Sequence, residues 1–320
     1  MRLLVTGGAG FIGSNFVRYI LENYPDYEVI NLDALTYAGD ISNLEGVMDH
    51  PSHRFVQGRI EDGELVYELV RQVDVVVNFA AESHVDRSIV QPQVFVQTNV
   101  VGTQVLLNAA LESGVKLFCQ ISTDEVYGAL SLDSTETFTE ESPLRPNSPY
   151  SASKTAADLL ARAYFTTYRL PVVISRCSNN YGPRQHPEKF IPTVILNALH
   201  DRPVPIYGDG LYVRDWIHVV DHCRAIDTIM HRGNPGEIYN VGADNEWANI
   251  ELARKILSIL RKPEDLLTSV KDRPGHDRRY AISSTKLRRE LGWEPLTPFD
   301  QGLAATIDYY IHRARARDEG

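Results

Sequence analysis

Two pairs of side chains in this sequence have the types and spacing for proton transfer. Tyr150 and Lys154, in Tyr150-Ser151-Ala152-Ser153-Lys154, stand one helical turn apart on the same face. A phenol is a poor base at its usual pKa of about 10, and a neighbouring cation stabilises the phenolate. Asp124 and Glu125 are adjacent in Thr123-Asp124-Glu125-Val126-Tyr127-Gly128. Two carboxylates so close repel each other, so one should hold its proton while the other ionises. An acid beside a base suits a reaction that moves protons at neighbouring carbons. The plain alternatives are a solvated helix face for the first pair and a solvated acidic turn for the second.

A third group of residues has phosphate-binding character. Gly7, Gly10 and Gly13 follow the short apolar run Leu3-Leu4-Val5 and precede a helical pattern over residues 12–23. Glycines there allow a tight turn and a close approach of backbone N–H groups to a pyrophosphate at a helix N-terminus. Asp33 lies 20 residues beyond Gly13, at the end of a second apolar run, Val29-Ile30-Asn31-Leu32. A carboxylate at that spacing accepts ribose hydroxyls and repels a 2′-phosphate, which favours NAD over NADP. The alternative is an aspartate that merely starts a turn.

These residues need a scaffold, and the periodicity supplies one. Apolar runs at 73–79 and 117–122 read as further strands, with a long helix at 94–113 that stops at Gly114. Strand and helix in alternation imply right-handed crossovers and a parallel, doubly wound α/β sheet. The Asp124–Glu125 pair then leaves the C-terminal end of a strand, where open α/β sheets place their sites. After residue 177, prolines 183, 187, 192, 203 and 205 mark a loop-rich stretch, with helices expected at 191–200, 250–260 and 303–313. The expected division is a cofactor domain at 1–177, with 214–243 packing back on it, and a smaller, irregular lobe from 178–213 and 244–320.

Composition narrows the setting. The 320 residues are 43% hydrophobic and 23% charged, ordinary for a globular chain, and carry a net charge of −10. That charge disfavours nucleic acid and anionic membranes as partners. Cys119, Cys177 and Cys223 are too scattered for a disulfide framework or a zinc site, so no metal is expected and a reducing cytoplasm is the simplest location. The first residues lack the long apolar core of a signal peptide, and no run reaches the ~18 apolar residues of a membrane span.

The glycine loop with Tyr150 and Lys154 resembles the extended short-chain dehydrogenase/reductase superfamily, which implies a Rossmann-type sheet. A closer resemblance rests on Thr123-Asp124-Glu125-Val126-Tyr127-Gly128, Ala80-Ala81-Glu82-Ser83-His84-Val85-Asp86-Arg87-Ser88, Ser178-Asn179-Asn180-Tyr181-Gly182-Pro183, Asp215-Trp216 and Asp272-Arg273-Pro274-Gly275-His276-Asp277. Together these resemble the dTDP-glucose 4,6-dehydratase family over nearly the whole chain. Related epimerases carry small hydroxyl residues or alanine where Asp124 and Glu125 stand.

The resemblance implies a mechanism. Tyr150 takes the 4-hydroxyl proton while NAD⁺ accepts hydride from C4, with Thr123 and Lys154 assisting. Glu125 removes the C5 proton, Asp124 protonates the departing C6 hydroxyl, and hydride returns to C6. The NAD is tightly held and recycled. Cofactor contacts implied are Gly7, Gly10, Phe11, Ile12, Gly13, Asp33, Ala34, Leu35, Thr36, Ile60, Phe79, Ala80, Ala81, Ser83, Thr98 and Asn180, besides Tyr150 and Lys154. Substrate contacts implied are Ser83, Thr123, Asn179, Lys189, Phe190, Pro205, Ile206, Tyr207, Arg214, Asn249, Arg273 and His276. Arginines suit bidentate diphosphate contacts, so a local basic pocket is expected inside an acidic protein. For Arg214 the alternative is a surface salt bridge; Cys177, His84, Trp216, Tyr164, Tyr168 and Arg169 read as structural.

One segment departs from the family. An aspartate that accepts the adenine amino group is replaced here by Arg59, in Gly58-Arg59-Ile60-Glu61-Asp62. Arg59 cannot accept that hydrogen bond, which predicts looser NAD retention. Competing readings are the same reaction on UDP-glucose, a nucleotide-sugar 4-epimerase or decarboxylase, and an NAD-sensing binding protein. The last would not need Asp124, Glu125, Tyr150 and Lys154 together. The family also implies a homodimer through a four-helix bundle built from residues 94–113 and 151–168 of each subunit.

Overall fold

The computed structural model describes residues 1–318. Its strands are β1 (Arg2–Thr6), β2 (Glu28–Asp33), β3 (His53–Gln57), β4 (Val75–Asn78), β5 (Leu117–Thr123), β6 (Val172–Cys177), β7 (Asn179–Tyr181), β8 (Val204–Tyr207), β9 (Val213–His218), β10 (Ile238–Val241), β11 (Glu246–Ala248) and β12 (Leu267–Val270). The helices are α1 (Phe11–Asn23), α2 (Gly63–Val70), α3 (Val85–Val90), α4 (Pro92–Phe95), α5 (Thr103–Ser113), α6 (Pro149–Tyr168), α7 (Phe190–Leu199), α8 (Val219–Arg232), α9 (Asn249–Leu260), α10 (Thr285–Leu291) and α11 (Phe299–Asp318).

Among the described residues, seven strands form one sheet in the order β10-β6-β5-β4-β1-β2-β3, and all its pairings are parallel. This is the expected doubly wound sheet. The chain reverses its direction of travel between β1 and β4, and a ligand cleft belongs at the carboxyl ends of strands flanking that switch. Strands buried on both faces need continuous apolar runs. Accordingly Leu3 and Val5 face the layer of α1 and α8, while Leu4 faces the layer of α2, α5 and α6.

The second lobe has its own core of Ile191, Val194, Ile195, Leu252, Ile256, Leu303 and Ile307. It holds a small sheet, β11-β9-β7, and the pair β12-β8. Two stretches depart from the expected division. Within 214–243, β9 joins the lobe's sheet and Trp216 lies in the lobe's core, whereas α8 and β10 pack on the large sheet. Within 244–320, α10 returns to the large domain, where Leu287, Leu291 and Trp293 pack with Ile226 and Tyr239. Apolar periodicity alone does not say which of two cores a helix joins.

The long helix expected at 94–113 starts at Pro92 and contains a π-helical turn, Val96–Gly102. Such turns gather at functional sites. Here the turn swings Asn99 inward, where its Oδ1 accepts from the Glu82 backbone N–H at 2.8 Å and its amide donates to Ser153 Oγ at 2.8 Å. The stretch Pro92–Ser113 is long and apolar enough to cross a membrane by length and composition, with a mean hydropathy of 1.3. Less than half of it is buried, against α2 and α6.

Candidate active site

The carboxyl ends of β1, β2, β4, β5 and β6 open onto one cleft, and the second lobe closes it with residues 185–189. The space is about 1540 Å³, including a part open to solvent.

The β1–α1 corner is built for an anion. A Cβ on Gly13 would stand 2.2 Å from the Gly7 carbonyl oxygen, and one on Gly7 would stand 2.7 Å from the Ala80 nitrogen. Only glycine fits either position. The N-terminus of α1 has no side-chain cap and no acidic residue in its first turn, leaving its N–H groups and dipole to a ligand. Asp33 ends β2, accepts from the Ala9 N–H at 2.9 Å and the Leu35 N–H at 2.8 Å, and remains on the cleft wall. Burial raises its pKa, and those N–H groups work against the rise. The cradle therefore fits a dinucleotide with free ribose hydroxyls.

Gly10, Phe11, Ile12, Ala34, Thr36, Ile60, Phe79, Ala80, Ala81, Ser83, Thr98 and Asn180 also line the cleft. Leu35 does not. Its backbone turns into the left-handed region (φ 49°), and its side chain faces a separate cavity beneath α11. Arg59 lines the cleft with its side chain 59% exposed, 3.9 Å from Glu61.

Sequence dictates how α6 presents Tyr150 and Lys154. Ser148 caps the helix by accepting from the Ser151 N–H at 3.0 Å, Ser151 Oγ accepts from the Ser148 N–H at 3.0 Å, and Pro149 starts the first turn. Tyr150 thus lies in the first turn and Lys154 in the next, both buried on the cleft wall. The Lys154 ammonium donates to the Ile121 carbonyl at 2.6 Å, and the Tyr150 phenol is held well above its usual pKa by burial and by Glu125. In this state the cation does not offset the carboxylates facing the phenol.

The acid pair begins a 3₁₀ turn, Asp124–Tyr127, directly after β5. Thr123 Oγ1 donates to Asp124 Oδ1 at 3.2 Å and accepts from the Glu125 N–H at 3.3 Å. The threonine hydroxyl thereby shapes the turn and keeps one acceptor lone pair for a further partner. At the far end Gly128 (φ 87°) lets the chain leave past the Arg145 carbonyl, which a Cβ would meet at 2.4 Å.

The two carboxylates have different surroundings. Asp124 is 1% exposed, and its Oδ2 has no hydrogen-bond partner. Burial first, then the charge of Glu125, raises its pKa well above the ordinary range. Burial raises Glu125 too, but Arg273, Arg214 and Lys189 all pull it back. The proton therefore belongs on Asp124 and the charge on Glu125.

Those three cations come from the second lobe. Lys189 donates to the Ser83 carbonyl at 3.1 Å and lines the cleft with Asn179. Arg214 is 6% exposed and has no carboxylate within ion-pair distance among the described residues, which overturns the surface salt-bridge alternative. Its guanidinium donates to the Val213 and Asp277 carbonyls at 2.7 and 2.9 Å and lies 4.2 Å from the Tyr280 ring centroid. Arg273 stands 3.4 Å from Asp86, with its buried Nε unpartnered.

Phe190, Pro205, Tyr207, Arg214, Asn249, Arg273 and His276 fall outside the cleft's lining, on the second-lobe side of the chain. Pro205 and Tyr207 are on β8, beside Ile206 of the lobe core, and Asn249 starts α9 with a buried, unpartnered Oδ1. His276 stacks on Tyr212 at 3.6 Å, meets Tyr207 edge-on at 6.1 Å, and is neutral because burial and Arg273 pull its pKa down to about 4. Phe190 lies over Trp216 at 6.3 Å.

Three residues with no assigned role also belong to the site. Glu82 lines the cleft at 5% exposure, its pKa raised by burial. Glu61 accepts from Thr98 Oγ1 at 2.8 Å. Tyr37 shares a hydrogen bond with Ser83 Oγ at 3.2 Å under the Arg87 guanidinium, 4.0 Å from its ring centroid. Glu82 and Arg87 lie inside a quoted motif, so the signal was present for them; nothing local marks Tyr37.

Known proteins resemble this chain over nearly its whole length. A family model described as GDP-mannose 4,6-dehydratase matches residues 4–306. The chain is 56% identical over 311 residues to the low-salt glycan biosynthesis protein Agl12 of Haloferax volcanii, covering 97% of this chain and 99% of that one. It is 52% identical over 328 residues to a dTDP-glucose 4,6-dehydratase of Xanthomonas campestris, covering 96% and 92%. Among solved structures, DesIV, a dTDP-glucose 4,6-dehydratase from Streptomyces venezuelae with NAD bound, superposes with a TM-score of 0.96 at 51% identity, covering 98% of each chain. A UDP-glucose 4-epimerase from Thermotoga maritima superposes at 0.91 with 31% identity, covering 98% and 100%.

Proposed function

Because this chain belongs to the dTDP-glucose 4,6-dehydratase family, we propose that it converts dTDP-glucose to the 4-keto-6-deoxy sugar, as an NAD-dependent hydro-lyase. One observation carries the reading beyond dehydrogenation. Asp124 lies buried beside a half-buried Glu125; burial and the Glu125 charge keep the proton on the first, while three cations work against the rise of the second. An epimerase needs only to remove and return hydride at one carbon; elimination of water across two carbons needs an acid and a base.

Bound NAD supplies the hydride acceptor for C4 and the hydride donor for C6. The chain's own groups do the rest. Tyr150 takes the 4-hydroxyl proton, and Lys154, anchored on the Ile121 carbonyl, presents its ammonium from the next turn. Glu125 takes the C5 proton and later returns it. Asp124 gives its proton to the C6 hydroxyl, which departs as water. Lys189, Arg214 and Arg273 neutralise the diphosphate, so an anionic substrate enters a basic recess in a chain of net charge −10. The unpartnered Asn249 Oδ1, near the β8 residues Pro205 and Tyr207, suits an N–H donor on the nucleoside base.

The assay offers dTDP-glucose and UDP-glucose separately and detects the product by loss of one water. A 4-keto-6-deoxy product formed preferentially from dTDP-glucose is expected. A 4-epimer without water loss, or equal use of UDP-glucose, would overturn the assignment.

The reading extends to assembly and location. Val90 (78% exposed), Val96 (51%) and Leu159 (50%) leave an apolar face along α3, the π turn and α6. Such a face supports a homodimer through a four-helix bundle. The three cysteines are buried and unpaired, which accords with a reducing cytoplasm.

A further inference from the structure

Among the described residues, one ion pair is fully buried. Asp158 Oδ2 accepts from Arg176 Nε at 2.9 Å, with side chains 1% and 3% exposed. The pair sits behind the chemistry. Asp158 lies one turn beyond Lys154 on the same face of α6. Arg176 is on β6, in register between Ser122 of β5 and Asn240 of β10. Its Nη1 donates to the Tyr127 hydroxyl at 3.0 Å, and that hydroxyl donates to Asn240 Oδ1 at 2.8 Å. Tyr127 is the last residue of the turn that begins with Asp124 and Glu125. One chain of contacts thus joins the helix bearing Tyr150 and Lys154 to the turn bearing the acid pair.

A buried ion pair is a poor source of stability, because desolvation of both charges offsets their attraction. Its placement has to be explained by something else. The second oxygen of Asp158 has no partner, so the carboxylate is not consumed by hydrogen bonds. We propose that Asp158 is a positioning residue of this active site, acting on Lys154 along α6 and on the Asp124–Glu125 turn through Arg176 and Tyr127. The inference rests on the dehydratase reading.

Lys154 is the group most exposed to this effect. Burial lowers the pKa of its ammonium, and the Asp158 carboxylate opposes that loss. Cys177 on β6 is the other titratable group acting on it, and Tyr150 stands one turn back on its own helix. Cys177 is neutral, its thiol pushed up to about 12 by burial. Without Asp158 the ammonium loses its proton at a lower pH.

The test uses Asp158→Asn alone and Asp158→Asn with Arg176→Met, assayed as NAD-loaded enzymes on dTDP-glucose. The double variant removes both charges, so no guanidinium is left buried without a counter-ion. The alkaline limb of the kcat profile is expected to move down by about one pH unit in both, the lower end of the effect of a close opposite charge, with KM unchanged. Tyr127→Phe cuts the link to the turn and is expected to lower kcat without moving that limb. A variant profile that superposes on the wild type, or a kcat that falls evenly at every pH together with Tm, would overturn the proposal. So would failure of both Asp158 variants to fold, which makes the residue structural. Inactivity of the wild-type enzyme on dTDP-glucose would instead refute the functional reading.

Discussion

Replacing Glu125 with glutamine is the sharpest probe of the acid–base assignment, because the two carboxylates are coupled. The substitution preserves volume and removes the base for the C5 proton. It also removes the second-largest cause of the raised Asp124 pKa. With that negative neighbour gone, and Arg214 still facing it, Asp124 ionises at a lower pH and the acid is depleted as well. The three cations that faced Glu125 are left with less negative charge between them, so the pocket becomes more positive and diphosphate binding should not weaken.

General base catalysis contributes about 10²–10⁴ in rate, or roughly 3–5 kcal/mol of barrier. Loss of overall turnover by at least a hundredfold is expected, about the lower end of that range. The step at C4 does not use Glu125 as its base, and the carboxylate is in fact the largest charge raising the Tyr150 pKa. The variant should therefore still oxidise C4. In a stopped-flow experiment with stoichiometric dTDP-glucose, the absorbance of reduced nicotinamide should rise and persist, with no deoxysugar formed. Turnover within about tenfold of the wild type would remove Glu125 from the role of base, since even a weak general base is worth more than that. Failure to form reduced nicotinamide would mean that both chemical steps depend on it.

Gly13→Ala should leave a folded protein that has lost its cofactor, because the added Cβ collides with the Gly7 carbonyl at 2.2 Å; NAD content after gel filtration checks this, and a full complement of NAD would refute the fit. On α8, in the same layer as α1, His231 sits 2.9 Å from Asp227, and that hydrogen bond raises its pKa above 6.5. A raised folded-state pKa means the contribution is complete below pH ~6.5 and disappears as pH climbs through the folded value. His231→Gln should therefore lower Tm at pH 6 and have little effect at pH 9, by no more than about 1 kcal/mol for a partly exposed pair; an equal loss at both pH values would refute the linkage. Val90→Lys with Leu159→Lys places charge on the exposed apolar face and should give monomers in sedimentation, whereas a wild-type chain already monomeric at micromolar concentration would refute the dimer.

What the sequence disclosed and what it withheld differ in range along the chain. The glycine loop, Asp33, the Tyr150–Lys154 pair and the Asp124–Glu125 pair are each local patterns, fixed by one turn or one helix, and the structure gathers them on one cleft because parallel strands deliver their carboxyl ends to one edge. The protonation states are not local. Whether Asp124 or Glu125 keeps the proton depends on Lys189, Arg214 and Arg273, which lie far along the chain and meet Glu125 only when the second lobe closes over the sheet. The Tyr150 phenol is raised in the same way, by burial first and then by Glu125, a carboxylate that the helix pattern alone does not bring near it. Leu35 was expected on the cleft and residues 94–113 as a regular helix, and both differ because backbone geometry, not residue type, turns them. Asp158 shows the limit most clearly. It stands four residues past Lys154 in plain view, yet an aspartate on a helix reads as solvated until β6 brings Arg176 beneath it. A motif names the groups that can react; the charges that decide which of them does so arrive from elsewhere in the fold.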